Sequence, residues 1–231
     1  MWEKRIKKTL FTLAINNWEP DICDITFPLL KRYADKIGAD FYVIEDRKFP
    51  QWGITYEKLQ IYDLSQQMEN DWNIYIDADT LVHPETPDVT ELLSKDTVAH
   101  HGADKLGVRY KTDRYFWRDG RQISSCNWFS VASDWCIDLW HPVDDLTPGE
   151  CIARCFPTVD ESNGVIRASH LIDDFILSRN IAKFGLKFKT LISIFDEVGY
   201  KDVWFFWHQY VIPPEQKVIQ MKNILTQWKL L

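Results

Sequence analysis

The 231-residue sequence predicts an α/β fold with a mainly parallel central sheet flanked by helices. Three observations lead there. Strand-like and helix-spaced apolar segments alternate from Leu10 to Ala78, the pattern of parallel strands joined by crossover helices. Leu10 to Ile15 is an apolar run of strand length, and a second such run, "WNIYIDA", comes later. That second run ends in two carboxylates, Asp77 and Asp79. In open parallel sheets, ligands bind outside the carboxyl ends of the strands.

The elements follow in order. Leu10–Ile15 is the first strand. Pro20 and Asp21 open a helix in which Ile22, Ile25, Leu29, Leu30, Tyr33 and Ile37 keep helical spacing, and Gly38 stops it. Pro28 inside that span predicts a kink or a late start. "DFYVIED" is the second strand and "QWGI" a loop. Tyr56–Met68 is a helix with Ile61, Leu64 and Met68 on one face. "DVTELLS" reads as a short helix, "TVAHH" as a short strand, and Tyr110–Gln122 as a loop over the site. "NWFSVAS" is a strand and "DWCIDLW" starts a helix. The prolines and glycines between His141 and Val165 predict an irregular segment. Ser169 caps a helix running to Phe184. "KFKTLI" and "VWFFWHQYV" are late strands or extended segments. Pro213 and Pro214 open a terminal helix with Val218, Met221, Leu225 and Trp228 inward. Without a repeat or linker, residues 1–231 read as one domain.

Composition excludes several classes. Apolar residues make up 45% of the chain, enough for a full core. A net charge of −7 argues against a nucleic-acid binder. No run approaches the ~20 apolar residues of a transmembrane helix. Thr9–Ile15 is short for a signal peptide and no small-residue cleavage site follows it, so a cytoplasmic protein is expected. Five cysteines without framework spacing fit a reducing compartment. A zinc site from Cys151, Cys155, His141 and His170 lacks the spacing of a finger or knuckle.

Carboxylates at i and i+2 leaving a strand can turn toward one point above the sheet. Alone they repel, and burial raises a pKa. A hard divalent cation removes both problems, and Mg²⁺ or Mn²⁺ bridges to substrate phosphates. The pair therefore predicts a metal that holds a diphosphate.

"YIDADTLV" resembles the Asp-x-Asp motif of metal-dependent GT-A glycosyltransferases, most closely the glycogenin and lipopolysaccharide galactosyltransferase type. "YEKLQIYDL" is similar to the helix before that motif, "CNWFSVAS" to an Asn-containing strand, "HLIDDFILSRN" to an acid-rich segment, and "WHQY" to the place of a late metal-binding His. The resemblance implies a GT-A (Rossmann-like) fold and a nucleotide-sugar donor, with a UDP-sugar favoured and a carbohydrate acceptor. Residues 1–100 would form the nucleotide-binding half, and 101–231 the acceptor and sugar half with the C-terminal helix. The resemblance implies Asp77, Asp79 and His208 as ligands of Mn²⁺ (or Mg²⁺). It implies donor contacts from Thr12, Ala14, Asn16, Asp46 (with Glu45 an alternative to it), Lys58, Asp77, Ala78 and Asn127. Asp174 and Asp173 would act at the reacting sugar, with Asp174 preferred.

Arg109, Arg114 and Arg118 are further candidates for the phosphates, and Trp128, Trp204 and Trp207 for sugar platforms. The pattern also departs from the family. "CNWFS" lacks the Gly expected after its Asn, and the late His lacks the following Gly and Lys-Pro. Lys217 is a candidate to replace that Lys on the phosphates, with the "VIPPEQ" insertion weighing against it. Two alternatives remain: a haloacid-dehalogenase-type phosphatase with Asp77 as nucleophile, and a non-catalytic nucleotide-sugar-binding module. Against the phosphatase, Leu81 stands where its motif has Thr. A sugar nucleotidyltransferase is disfavoured because no Gly-rich loop follows the first strand.

Overall fold

In a computed structural model, residues 5–101, 127–154, 168–200, 205–209 and 212–231 are described, with the backbone alone for 168–171. The expected loop Tyr110–Gln122 and the candidates Arg109, Arg114, Arg118 and Trp204 lie outside these residues.

The amino-terminal half alternates as its pattern requires. Strand β1 (Lys8–Leu13) leads to helix α1 (Pro20–Ile37), strand β2 (Ala39–Ile44), helix α2 (Ile61–Met68) and strand β3 (Trp72–Ile76). Pro20 occupies the first turn of α1, where its missing N–H costs nothing. Gly38 closes the helix at φ 68°, its N–H turned back to Ala34 and Asp35. Pro28 lies within the helix, which neither starts late nor stops there.

Strands β4 (Leu81–Val82), β5 (Thr97–His100) and β6 (Phe129–Ser133) follow. Then come α3 (Pro148–Arg154), α4 (Ala168–Lys183), β7 (Lys187–Thr190), α5 (Leu191–Glu197), β8 (Phe206–Trp207) and α6 (Pro214–Gln227).

The main sheet has the order β2-β1-β3-β6-β5-β7. β1 is parallel to β2 and β3, and β5 to β7, while β6 is antiparallel to β3 and β5. Of these six strands, β6 therefore runs against the other five. The ends of β1, β2, β3, β5 and β7 and the start of β6 consequently share one edge.

Period-two alternation splits the core between the two faces. Phe11, Tyr75 and Ala132 pack with Phe175 and Ile176 of α4. Leu10, Ile74 and Val131 pack with Leu30 and Tyr33 of α1 and Phe195 of α5. Both faces carry helices, which is why β3 is buried at every position. A third cluster seats Met221 and Leu225 of α6 against Ile22 and Leu81. No helix among the described residues is long and apolar enough to cross a membrane.

Four expectations change. Residues 54–60 form a 3-10 turn before α2, so Tyr56–Met68 is not one α-helix. "DWCIDLW" is likewise a 3-10 segment. The span expected to be irregular contains α3. "KFKTLI" ends its strand at Thr190, whose Oγ1 accepts from the Ser193 N–H and starts α5.

Candidate metal and donor site

Strand β3 delivers Asp77 to the shared edge. The Asp77 N–H donates to the Trp128 carbonyl at 2.8 Å, continuing the β3–β6 ladder by one step. Asp79 follows in a turn closed by the Thr80 N–H bonding to the Asp77 carbonyl at 3.1 Å. Thr26 of α1 pins this turn by donating to the Ala78 carbonyl at 2.5 Å.

His208 arrives from the far end of the chain. Leu81 pairs with Trp207 and Val82 with Phe206 in an antiparallel ladder, which sets His208 beside the acids. Its Nε2 lies 3.3 Å from Asp79 Oδ1 and 3.9 Å from Asp77 Oδ2. One ligand atom from each of Asp77, Asp79 and His208 falls within 4.8 Å of the others. Two carboxylates and one imidazole suit Mn²⁺ or Mg²⁺, so the residues fit the cation that the motif implies.

The electrostatics of the two acids differ. Burial pushes the Asp77 carboxyl up; the Lys58 ammonium opposes this and Asp79 adds to it. Burial also disfavours ionisation of Asp79. There His208 and Lys217 outweigh it and hold the carboxyl well below the usual carboxylate range. Lys217, from the first turn of α6, ion-pairs with Asp79 and is itself buried.

A buried cation lies below. Lys58 Nζ donates to Asp173 Oδ2 at 2.7 Å and to the Asn127 carbonyl at 3.0 Å, with Asp77 Oδ1 at 3.5 Å. Burial alone would lower its pKa, but Asp173 and Asp77 raise it above the ordinary lysine range. The lysine also sits 4.5 Å from the Tyr75 ring. Tyr75 Oη donates to Asp77 Oδ1 at 2.5 Å. Tyr75 escaped the sequence reading, though its place two residues before Asp77 puts both on one strand face.

The acids of α4 divide their work. Asp173 takes Lys58, whereas Asp174 Oδ1 accepts the Asn127 N–H at 2.9 Å. Thus Lys58, Asp77, Asn127, Asp173 and Asp174 are joined by direct contacts.

The remaining donor candidates spread along the edge. The Ala14 N–H donates to the Ile44 carbonyl at 3.0 Å, just past β1. Asn16 is exposed, with φ 56° in a loop whose Asn17 and Glu19 are also left-handed. Such backbone costs about 1 kcal/mol or more per residue and gathers at ligand loops. Asp46 is exposed beyond β2, its carbonyl accepting from Gln60 at 2.8 Å. Thr12, the last residue but one of β1, is fully buried.

A solved glycosyltransferase involved in the glycosylation of the major capsid of PBCV-1 is similar over 93% of this chain and 99% of its own. The TM-score is 0.55 at 11% identity. The chain shares the fold of that protein. No protein-family profile matches the sequence, and no curated protein sequence does. On this fold, the Asp77–Asp79–His208 group stands at the edge where five strands end and β6 begins.

Proposed function

We propose that this chain transfers a sugar from a nucleotide-sugar donor, a UDP-sugar, to a carbohydrate acceptor. Mn²⁺ (or Mg²⁺) would be held by Asp77, Asp79 and His208. The observation that carries the proposal is the convergence of these three side chains within 4.8 Å on a glycosyltransferase fold. When bound, such a cation acts as a Lewis acid that neutralises the departing diphosphate.

The chain's own residues supply the rest. Tyr75 and Lys58 fix Asp77 in one orientation through its Oδ1. Asp173 is committed to Lys58, so its part is to hold that ammonium beneath the site. Asp174 is the more accessible of the two acids and would take the proton of the acceptor hydroxyl. Ala14, Asn16 and Asp46 would meet the base and ribose, and residues 1–100 would form the nucleotide-binding half.

Calorimetry with UDP, with and without Mn²⁺, tests the reading. Binding only with metal is expected, and equal binding without it would overturn the metal assignment. Slow release of free sugar from one donor in a nucleotide-sugar panel would separate the enzyme from a binding module.

A further inference from the structure

We propose that Trp128 is the positioning residue of this site, holding Asp77 through its backbone carbonyl and His208 through its indole; the inference rests on the metal-site reading above. The sequence offers Trp128 as a sugar platform. In the structure the side chain is only 6% exposed, so no open ring remains for a sugar.

Its contacts point elsewhere. The indole stacks on the His208 imidazole at 5.4 Å between centroids and 17° between planes. It also packs against His101 at 4.5 Å and against Phe206 of β8 at 5.6 Å. The Trp128 carbonyl accepts the Asp77 N–H at 2.8 Å. One residue therefore touches two of the three candidate ligands, which come from different sheets.

The need for such a clamp follows from the local architecture. β8 has two residues, and a ladder that short anchors its strand only weakly. An imidazole can present a lone pair to a cation only when its plane is fixed, commonly by its surroundings. Here the stacking against Trp128 fixes the plane, and the Phe206 contact fixes the strand that carries it. A purely structural role would predict lost stability without any change at His208.

The experiment uses the full chain with ¹⁵N,¹³C-labelled histidine. In the unsubstituted protein the His208 ring protons, identified by loss of their signal in His208→Gln, should be shifted upfield by the indole ring current. Trp128→Leu should abolish that shift and weaken Mn²⁺ binding about 10–100-fold. Trp128→Phe, which keeps a ring, should retain most of the affinity. Val131→Ala, in the sheet interior, should lower stability yet leave Mn²⁺ affinity unchanged. An unshifted His208 signal overturns the proposal, as does unchanged Mn²⁺ affinity in a folded Trp128→Leu. If the unsubstituted protein takes up no Mn²⁺, the metal reading falls, while the His208 signal still decides whether Trp128 orients the ring. If Trp128→Leu does not fold, the ring-current shift and the Trp128→Phe affinity decide.

Discussion

The Lys58 ammonium meets the Asp173 carboxylate at 2.7 Å inside the protein, with 1% of the lysine side chain exposed. Removing one partner of such a pair leaves the other charge buried and alone. Lys58→Met should therefore cost about 3–5 kcal/mol in urea denaturation. Lys58→Met combined with Asp173→Leu should cost less than the sum of the single changes, because neither charge is then stranded.

Asp79→Asn keeps the shape of the side chain but removes its charge. Mn²⁺ affinity should fall at least about 100-fold, since even outer partners of a ligand account for 10–100-fold. The rise in melting temperature with added Mn²⁺ should vanish with it. Thermal shift with and without Mn²⁺, alongside circular dichroism to verify the fold, measures both.

Lys217→Met should act in the opposite direction. Lys217 and a divalent cation draw on the same Asp79 carboxylate. Deleting the ammonium removes a competing positive charge and leaves Asp79 in need of one. Mn²⁺ binding without nucleotide should tighten roughly tenfold or more. Calorimetry reads this directly, and weaker binding would show that Lys217 assists the cation.

His100 supplies a pH dependence away from the ligands. Burial pushes its imidazole down to about 3, with no part of it exposed. The unfolded chain takes up this proton near pH 6.5, whereas the folded chain resists it. Stability from this group is therefore complete above about pH 6.5 and falls as the pH drops toward 3. In urea denaturation between pH 4 and 7, His100→Gln should show a shallower loss on the acid side, whatever its stability at neutral pH.

Much of this was readable from residue order. β1, α1, β2 and β3 follow from apolar period, Pro20 and Gly38, and the place of Asp77 and Asp79 follows from strand direction. In the 3-10 turn at 54–60, the residues from Tyr56 onward look like the start of a helix because spacings of three and four place apolar residues alike over one turn. α5 was hidden because "LISIF" continues the apolar run of β7, and only Thr190 marks the boundary as a cap. α3 was hidden because Pro148 and Gly149 read as breakers, whereas Pro148 sits in the first turn. β4 is two residues, too short to show a period, and β8 takes only Phe206–Trp207 of the segment "VWFFWHQYV", so its partner strand is not legible. His208 was therefore named by family likeness alone. The Lys217–Asp79 contact depends on how α6 packs on Ile22 and Leu81, which no local pattern encodes.

The β4–β8 ladder also sets an order of assembly. The turn that carries Asp77 and Asp79 draws on Thr26 and the β1–β3 pairing, both upstream of Thr80, before β6 adds the Trp128 carbonyl. The third ligand must return across more than half the chain to pair beside Leu81. Closing a loop of that length carries an entropy cost that only later contacts offset. During synthesis the chain would therefore expose a half-built site until its last stretch emerges, and a cation arriving then would act as a clasp that favours the final docking step.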